Sequence, residues 1–158
     1  MNNRVFVTSD THFGHSNILK FVPARAHFKD IDEHNETLVE NWNRVVKPKD
    51  TVYHLGDVLF GVENFKYLER LNGLKKLVMG NHDHYPTTKY LEYFEKVAGC
   101  VKTHGCILSH IPVHSGQLDR FVLNLHGHLH QSKLDDTRYI NCCVEHHNLT
   151  PVLLESLL

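Results

Sequence analysis

The sequence predicts an α/β (mixed α+β) fold: a two-sheet mixed β-sandwich flanked by helices. In the first half, short apolar segments alternate with amphipathic ones, a pattern typical of parallel strands joined by crossover helices. In the second half, short apolar segments follow one another with little helix between them, which indicates a second sheet, mixed or antiparallel. The chain of 158 residues is long enough to bury a core and shows no linker or repeat. We therefore expect one domain spanning residues 1–158.

The longest predicted helix, at residues 31–46, shows how the elements of the first half are recognised. Its apolar side chains recur at helical spacing, Asp30 or Asp32 can cap its start, and Pro48 lies just beyond its end. Gly73 similarly follows the end of a second helical pattern, as is common after a C-cap. In chain order, we expect a strand at 5–9, a short helix from Ser16, the helix at 31–46, a strand at 51–55, a helix from Val62 to Leu71, a strand at 76–79 and a helix at 88–94.

The second half is predicted to consist almost entirely of short strands. Apolar and β-branched residues recur there in brief runs, and polar or glycine-containing turns separate them. The strands are expected at 100–103, 106–109, 121–125, 138–143 and 151–154.

The composition argues against several classes of protein, among them nucleic-acid-binding, membrane-spanning and secreted proteins. Lysine plus arginine number 17 against 18 aspartates and glutamates, so an extended nucleic-acid-binding surface is not expected. No apolar stretch approaches membrane-spanning length, and the amino terminus lacks the apolar core of a signal peptide. The four cysteines lack the paired spacing of a zinc knuckle or a redox motif, which favours reduced thiols and a cytoplasmic location. Histidine is unusually abundant, with 15 residues.

Five short polar blocks contain the residues with the most evident chemistry. Each block follows an apolar run that is expected to form a strand. The carboxyl ends of strands in an α/β sheet meet at one rim, so the polar side chains are expected to converge there. The blocks are Asp10-Thr-His12, Gly56-Asp57, Gly80-Asn-His-Asp83, Ser109-His110 and Gly127-His-Leu-His130.

These residue types suit a pair of divalent metal ions. Carboxylate and imidazole groups are good ligands for Mn, Fe, Zn or Ni, and a carboxylate such as that of Asp57 can bridge two ions. Asn81 offers a neutral carbonyl oxygen. Two divalent ions, two carboxylates and a bridging hydroxide carry a net charge of about +1, which suits two-metal hydrolysis of an anionic phosphoester. His82 is a candidate general acid for the leaving oxygen, and Asp83 could orient it or support the site.

In this order, the blocks resemble those of calcineurin-like metallophosphoesterases, over residues 5 to about 145. The resemblance implies the two-sheet fold, a dinuclear metal centre and His82 as the catalytic acid. The longer strings at 10–15, 53–57 and 125–130 resemble compact bacterial and phage phosphoesterases. The Asp-Arg pair that follows this aspartate in protein Ser/Thr phosphatases is missing after Asp57, which argues against a phosphoprotein substrate. The implied ligands are Asp10, His12, Asp57 and His130 for one ion, and Asp57, Asn81, His110 and His128 for the other.

Several polar residues near the blocks have two interpretations. His15 and Arg120 are candidates for phosphate contacts; a structural role explains His15 equally well, and a solvated side chain is slightly favoured for Arg120. His54 and His126 lie within apparent strands, where we expect packing or support of the ligands rather than metal binding.

The leading functional hypothesis is a dinuclear hydrolase, with Mn as the expected metal and a metal-bridging hydroxide as the nucleophile. The chain leaves no residues for a separate cap domain, so the site should be open, which favours phosphodiesters of small or nucleotide-type molecules. The alternatives are a phosphomonoesterase acting on a small molecule and a catalytically silent metal-binding scaffold for a partner protein.

Overall fold

The computed structural model describes residues 3–158 and contains two β-sheets with helices on the outside of the first. Short 3-10 turns occupy Pro23–Arg25, Val62–Asn64, Ser115–Arg120, Val144–His147 and Leu154–Leu157. The strands are β1 (Val5–Thr8), β2 (Thr51–His54), β3 (Leu74–Val78), β4 (Lys96–Ala98), β5 (Cys100–Thr103), β6 (Cys106–Ser109), β7 (Asn124–His126), β8 (Tyr139–Asn141) and β9 (Val152–Leu153), and the helices are α1 (Ile18–Phe21), α2 (Ile31–Val45), α3 (Phe65–Glu69) and α4 (Thr87–Tyr90).

The first sheet has the strand order β4-β3-β2-β1-β9. The strands β1 to β4 are parallel, as the alternating pattern predicts, and Thr8 pairs with His54, which in turn pairs with Leu77. The segments that follow β1, β2 and β3 therefore all leave the sheet on the same side, at the carboxyl ends of the strands. The short strand β4 is not anticipated from the sequence, because three residues are too few to show a periodicity.

The second sheet has the order β5-β6-β7-β8 and is mixed, as predicted. The strand β5 is antiparallel to β6, whereas β6, β7 and β8 are parallel. The last predicted strand, at 151–154, does not join this sheet. It forms β9 instead, which pairs antiparallel with β1 through Phe6 and Leu153 and closes the edge of the first sheet.

The helix α2 confirms the prediction from its apolar periodicity and its cap. The side chain of Asp30 accepts a hydrogen bond of 2.9 Å from the Glu33 amide, which identifies Asp30 rather than Asp32 as the N-cap. The helices α3 and α4 are shorter than predicted. After α4, the Glu95 amide pairs with the Lys75 carbonyl, and this pairing draws the chain into β4 instead of a longer helix.

Two apolar cores lie on opposite sides of the first sheet. Alternate residues of a strand point to opposite faces, so Phe6 packs with Trp42 of α2, whereas Val7 packs with Leu108 and Leu125 of the second sheet. The two-sheet sandwich with flanking helices is therefore the observed architecture. No helix within residues 3–158 is both long and apolar enough to cross a bilayer.

Candidate metal centre

Four strand-ending segments, two from each sheet, meet between the carboxyl ends of the sheets. The Asp10 amide, after β1, donates to the Gly56 carbonyl, after β2, at 2.9 Å. In the second sheet, the Gly127 amide donates to the His110 carbonyl at 2.9 Å. The His128 amide joins the two sheets by donating to Asp10 Oδ2 at 3.0 Å. These hydrogen bonds hold the predicted ligands of separate strands in one place.

The backbone is strained at most of the predicted ligands. Within residues 3–158, eight non-glycine residues have a positive φ, and five of these are predicted metal ligands. Such conformations cost free energy for residues with a Cβ, and they cluster at functional sites where the surroundings impose them. The five are Asp10 (58°), His12 (50°), Asp57 (54°), His128 (68°) and His130 (46°).

Asp10, His12 and Asp57 form a buried group of potential ligands. Their donor atoms lie within 4.8 Å of one another, and His12 Nε2 is 3.5 Å from Asp10 Oδ1 and 3.7 Å from Asp57 Oδ2. Among the residues that the structure describes, Asp10 Oδ1 and both ring nitrogens of His12 are buried without a hydrogen-bond partner. Buried polar atoms normally have such a partner. A cation coordinated by this group would satisfy them, and His130 Nε2, 3.8 Å from Asp10 Oδ1, could join it.

A second group also lies next to Asp57. Asp57 Oδ2, the same oxygen that lies 3.7 Å from His12 Nε2, is 3.4 Å from His110 Nε2. The side-chain oxygen of Asn81 lies 2.8 Å from His110 Nε2 and 2.9 Å from His128 Nδ1. The side chains of Asn81, His110 and His128, all predicted ligands, therefore lie together next to Asp57. Asp57 is shared by the two groups.

The charges of the site favour a cation. Burial alone would raise the pKa of Asp10, but the charges of the nearby His12, His110 and His130 lower it well below its usual value. Burial opposes protonation of His110, but its hydrogen bond with Asp57 and the charges of Asp10 and Asp57 outweigh this effect and raise its pKa. Carboxylates that draw a proton onto a buried imidazole would equally attract a divalent ion.

Asp83 supports the loops instead of orienting His82. Its carboxylate accepts hydrogen bonds from the amides of Asp57 at 2.9 Å, Val58 at 3.0 Å and Gly80 at 2.7 Å. It thereby ties the segment after β2 to the segment after β3. These contacts agree with the prediction that Asp83 supports the site and not with the alternative that it orients His82.

His82 lies beside the two groups without belonging to either. Its amide donates to Asp57 Oδ1 at 2.9 Å. Its exposed ring is 6.0 Å from the His12 ring and 5.3 Å from that of Phe60, measured between centroids. The side chain lines an open cavity of about 470 Å³ that His12 and His130 also line. This position is compatible with proton donation to a group bound there.

The two candidates for phosphate contacts differ in position. His15 lines the same cavity and stacks on Phe60 at 4.1 Å. Burial and the neighbouring imidazoles lower its pKa to about 4, so it is neutral near pH 7 and supplies no positive charge. Arg120 lines a different cavity with Lys102 and Ile107, beside β5 and β6. The structure therefore does not bring Arg120 to the metal ligands, because the turn at Ser115–Arg120 packs elsewhere.

A buried ion pair that was not predicted from the sequence supports the loop of Asp10 and the ring of His130. The fully buried Arg25 donates to the Asp10 carbonyl at 2.5 Å, to the Thr11 carbonyl at 3.1 Å and to Glu145 Oε1 at 2.6 Å. The same Glu145 oxygen lies 3.0 Å from His130 Nδ1. The pair thus fixes both the loop of Asp10 and the ring of His130. Arg25 and Glu145 stand 120 positions apart outside every motif, so no local signal marks them.

The remaining histidines and cysteines of the region support the ligands. His54 bonds to the Thr11 hydroxyl at 2.9 Å and His126 to the Gly127 carbonyl at 2.8 Å, in the packing roles expected for them. The buried thiol of Cys143 donates to Asp10 Oδ2 at 3.2 Å, and burial raises its pKa. Within the described chain all four cysteines are free.

Comparisons with known proteins agree with this fold. An uncharacterized protein of Methanocaldococcus jannaschii is 37% identical over 142 residues, which cover 87% of this chain and 76% of that protein. The gene 66 protein of Mycobacterium phage L5 is 36% identical over 88 residues, 52% of this chain and 41% of the phage protein. The crystal structure of a protein of unknown function from Aquifex aeolicus superimposes with a TM-score of 0.79 at 30% identity, and the match covers 99% of this chain and 98% of that one.

The family whose sequence profile matches is described as calcineurin-like phosphoesterase, and the match spans residues 3–151. This range includes every predicted ligand, His82 and both members of the Arg25–Glu145 pair. The family resemblance and the fold inferred from the five blocks are therefore confirmed. The chain belongs to the calcineurin-like phosphoesterase family, whose members are in general metal-dependent phosphoester hydrolases.

Proposed function

We propose that this protein is a dinuclear metal-dependent phosphodiesterase that acts on a small or nucleotide-type substrate. The observation that carries the proposal is the position of Asp57, whose Oδ2 lies 3.7 Å from His12 Nε2 and 3.4 Å from His110 Nε2. A carboxylate shared by two ligand groups suits a pair of ions. In this proposal, one ion is held by Asp10, His12, Asp57 and His130, and the other by Asp57, Asn81, His110 and His128.

The two ions, with Mn as our first choice, would activate a water molecule and neutralise the charge of the phosphoryl oxygens. The chain's own residues position the substrate and handle the proton. In hydrolysis, the water oxygen forms a new bond to phosphorus, and the bond from phosphorus to the leaving oxygen breaks. His82 donates a proton to that oxygen, so that a neutral alcohol departs. The cavity beside His82 leaves room for this group.

Diesters are favoured over monoesters by the charges around the cavity. A monoester dianion gains more from additional positive side chains than a singly charged diester does. Within the described residues, neither lysine nor arginine lines this cavity, and His15 is neutral near pH 7 because its pKa is lowered to about 4. The predicted contact of Arg120 with a phosphate receives no support from its position.

The substrate class is tested by comparing bis-nitrophenyl phosphate with mono-nitrophenyl phosphate in the presence of Mn. We expect the diester to have the higher kcat/KM, EDTA to abolish both activities and added Mn to restore them. Faster turnover of the monoester, with loss of that activity in His15→Ala, would reverse the substrate assignment. Two bound ions without hydrolysis of any ester would instead favour the silent metal-binding scaffold.

The role of His82 is tested by His82→Ala. We expect this variant to keep its metal content and to lose about 10²–10⁴-fold in kcat for an ester with a poor leaving group. The loss should be smaller for a nitrophenyl ester, because nitrophenolate departs without a proton. His84→Ala, a substitution of a second exposed histidine two positions away, is the matched control and should retain activity. Equal losses on both esters, or lost metal, would indicate a structural role for His82.

A further inference from the structure

The cavity beside His82 has an aromatic wall that metal binding does not require. The ring of Phe60 stacks on His15 at 4.1 Å with an interplanar angle of 21°, and it lies 5.5 Å from His12 and 5.3 Å from His82. Phe21, at the end of α1, stands nearly edge-on to His15 at 6.2 Å and is 69% exposed. Together, Phe60, His15 and Phe21 form this aromatic wall, which borders the cavity.

Hydrogen bonds on both sides fix the backbone of Phe60 in this wall. The Phe60 amide donates to the Phe13 carbonyl at 2.8 Å, and the Phe60 carbonyl accepts from Asn64 Nδ2 at 2.6 Å. Asn64 can approach because Gly14 has a φ of +77° and no side chain, and a Cβ there would meet the Asn64 amide. The backbone that carries the ring is therefore fixed on both sides. A preformed surface needs little ordering when a ligand binds.

The cavity suits an uncharged, flat group. Its volume of about 470 Å³ lies within the range of small-molecule sites. Within the described residues, no Lys, Arg, Asp or Glu lines it; the lining consists of imidazoles, the phenylalanines, aliphatic residues such as Ile18 and Val22, and a few uncharged polar groups. A second phosphate or a polyphosphate chain would find no positive side chain here. An aromatic ring would find faces and edges to stack against.

The position of His82 indicates which part of the substrate lies in the cavity. His82 lines the cavity and, under the proposed function, protonates the leaving oxygen. The group attached to that oxygen must therefore lie on the same side as the aromatic wall. We propose that the aromatic wall of Phe60, His15 and Phe21 binds the leaving alcohol and selects alcohols that carry a flat aromatic ring. This inference rests on the proposed function and extends it to a class of substrate.

The test compares two methyl phosphodiesters whose second alcohols have similar acidity, 2-naphthylmethanol and cyclohexylmethanol, with the metal-loaded protein. The amount of each alcohol released is measured. We expect kcat/KM to be about threefold to tenfold higher for the naphthylmethyl ester, the range that one aromatic contact provides. A methyl phosphodiester of a nucleoside, used as a third substrate, shows whether the wall prefers a nucleobase or an aryl ring.

Two substitutions locate the selectivity. Phe21→Leu and Phe60→Leu should each bring the rates of the two esters close together, mainly by raising KM for the naphthylmethyl ester. Phe121→Leu, which alters a phenylalanine in the separate cavity of Arg120, should keep the preference. Binding without catalysis gives a second measurement. Saturation-transfer NMR should show 2-naphthylmethanol bound to the metal-free protein, and Phe60→Leu should weaken this signal.

The outcomes separate this inference from the proposed function. Equal rates for the two esters, or a preference that survives both substitutions, would overturn the inference and leave a phosphodiesterase. Failure to hydrolyse either ester in the metal-loaded protein would overturn the proposed function and the inference with it. Absence of naphthylmethanol binding to the metal-free chain would also overturn the aromatic subsite.

Discussion

Individual residues at the site are candidate ligands or supports of candidate ligands, and Asp57 combines both positions. Its Oδ2 faces His12 and His110, while its Oδ1 accepts the amide of His82 at 2.9 Å. Its own amide is held by Asp83 at 2.9 Å. Because one side chain connects both ligand groups to the candidate acid, substitutions here should have wider effects than substitutions at the rim.

We predict that Asp57→Asn loses both ions, whereas His130→Ala weakens only one. The asparagine removes a negative charge and leaves a single coordinating oxygen at the shared position. Metal content after reconstitution with Mn, measured by mass spectrometry, should be about two ions per native chain. A native protein that holds one ion, with unchanged metal content in Asp57→Asn, would refute the shared-ligand assignment.

A second prediction concerns the buried Arg25–Glu145 pair. Glu145→Gln keeps the shape of the side chain but leaves the charge of Arg25 uncompensated and weakens the support of His130. We expect the affinity for one ion to fall by about 10–100-fold and the unfolding free energy by about 3–5 kcal/mol. Calorimetric metal titration and urea unfolding measure the two effects.

The matched control for this pair is Glu36→Gln. Glu36 pairs with Arg70 at 2.6 Å, the same separation as in Arg25–Glu145, but both side chains are 47% exposed. An exposed pair contributes only about 0–1 kcal/mol, so this variant should behave like the native protein. Equal effects of the two substitutions would show that burial and contact with His130 carry no weight.

Among the elements, the segment after β7 approaches the segment after β1 closely. Gly127 follows β7, and a Cβ at this position would meet Ser9 Oγ and Asp10 Oδ2. The absence of a side chain therefore allows the two sheets to bring Asp10 and His128 together. The motif glycine is required by contact between elements rather than by a turn.

We predict that Gly127→Ala pushes these two segments apart and lowers metal affinity, although position 127 lies outside the predicted ligand set. Gly99→Ala is the control, because a Cβ at Gly99 would meet nothing within 4 Å. Metal titration of the two variants is the measurement. Native affinity in Gly127→Ala would show that the segments can shift without moving Asp10.

At the scale of the whole molecule, the metal centre connects two sheets that otherwise meet through an apolar core. The first sheet contributes the segments of Asp10 and Asp57, and the second contributes those of His110 and His128. Ions bound between them would belong to the native state alone, since unfolding separates the ligands. Metal binding and global stability should therefore be coupled.

We predict that Mn raises the unfolding temperature and that EDTA lowers it. At a free metal concentration of about 100 times Kd, binding adds about 2.7 kcal/mol to the unfolding free energy for each independent site. Thermal unfolding followed by circular dichroism checks this, with Asp57→Asn as the control that should no longer respond to Mn. Identical unfolding temperatures with Mn and with EDTA would contradict a metal centre between the sheets.

Most of the secondary structure and the family could be predicted from the sequence alone. The periodicity of residues 31–46 predicted α2, the alternation of the first half predicted parallel strands, and the five polar blocks predicted the family and a set of candidate ligands. These features are local: helix periodicity, strand length and the donor atoms of a short motif are all contained in a few consecutive residues. Local patterns therefore sufficed for them.

Features that depend on contacts between distant segments could not be predicted from the sequence and became visible in the folded structure. It placed β9 beside β1, moved Arg120 away from the ligands and joined Arg25 to Glu145 next to His130. A strand of two residues, such as β9, is too short to specify its partner by its own sequence. Arg25 meets Glu145 only in the folded chain, because the two residues are far apart in sequence. Because the packing of the whole chain sets these contacts, no window of the sequence contains them.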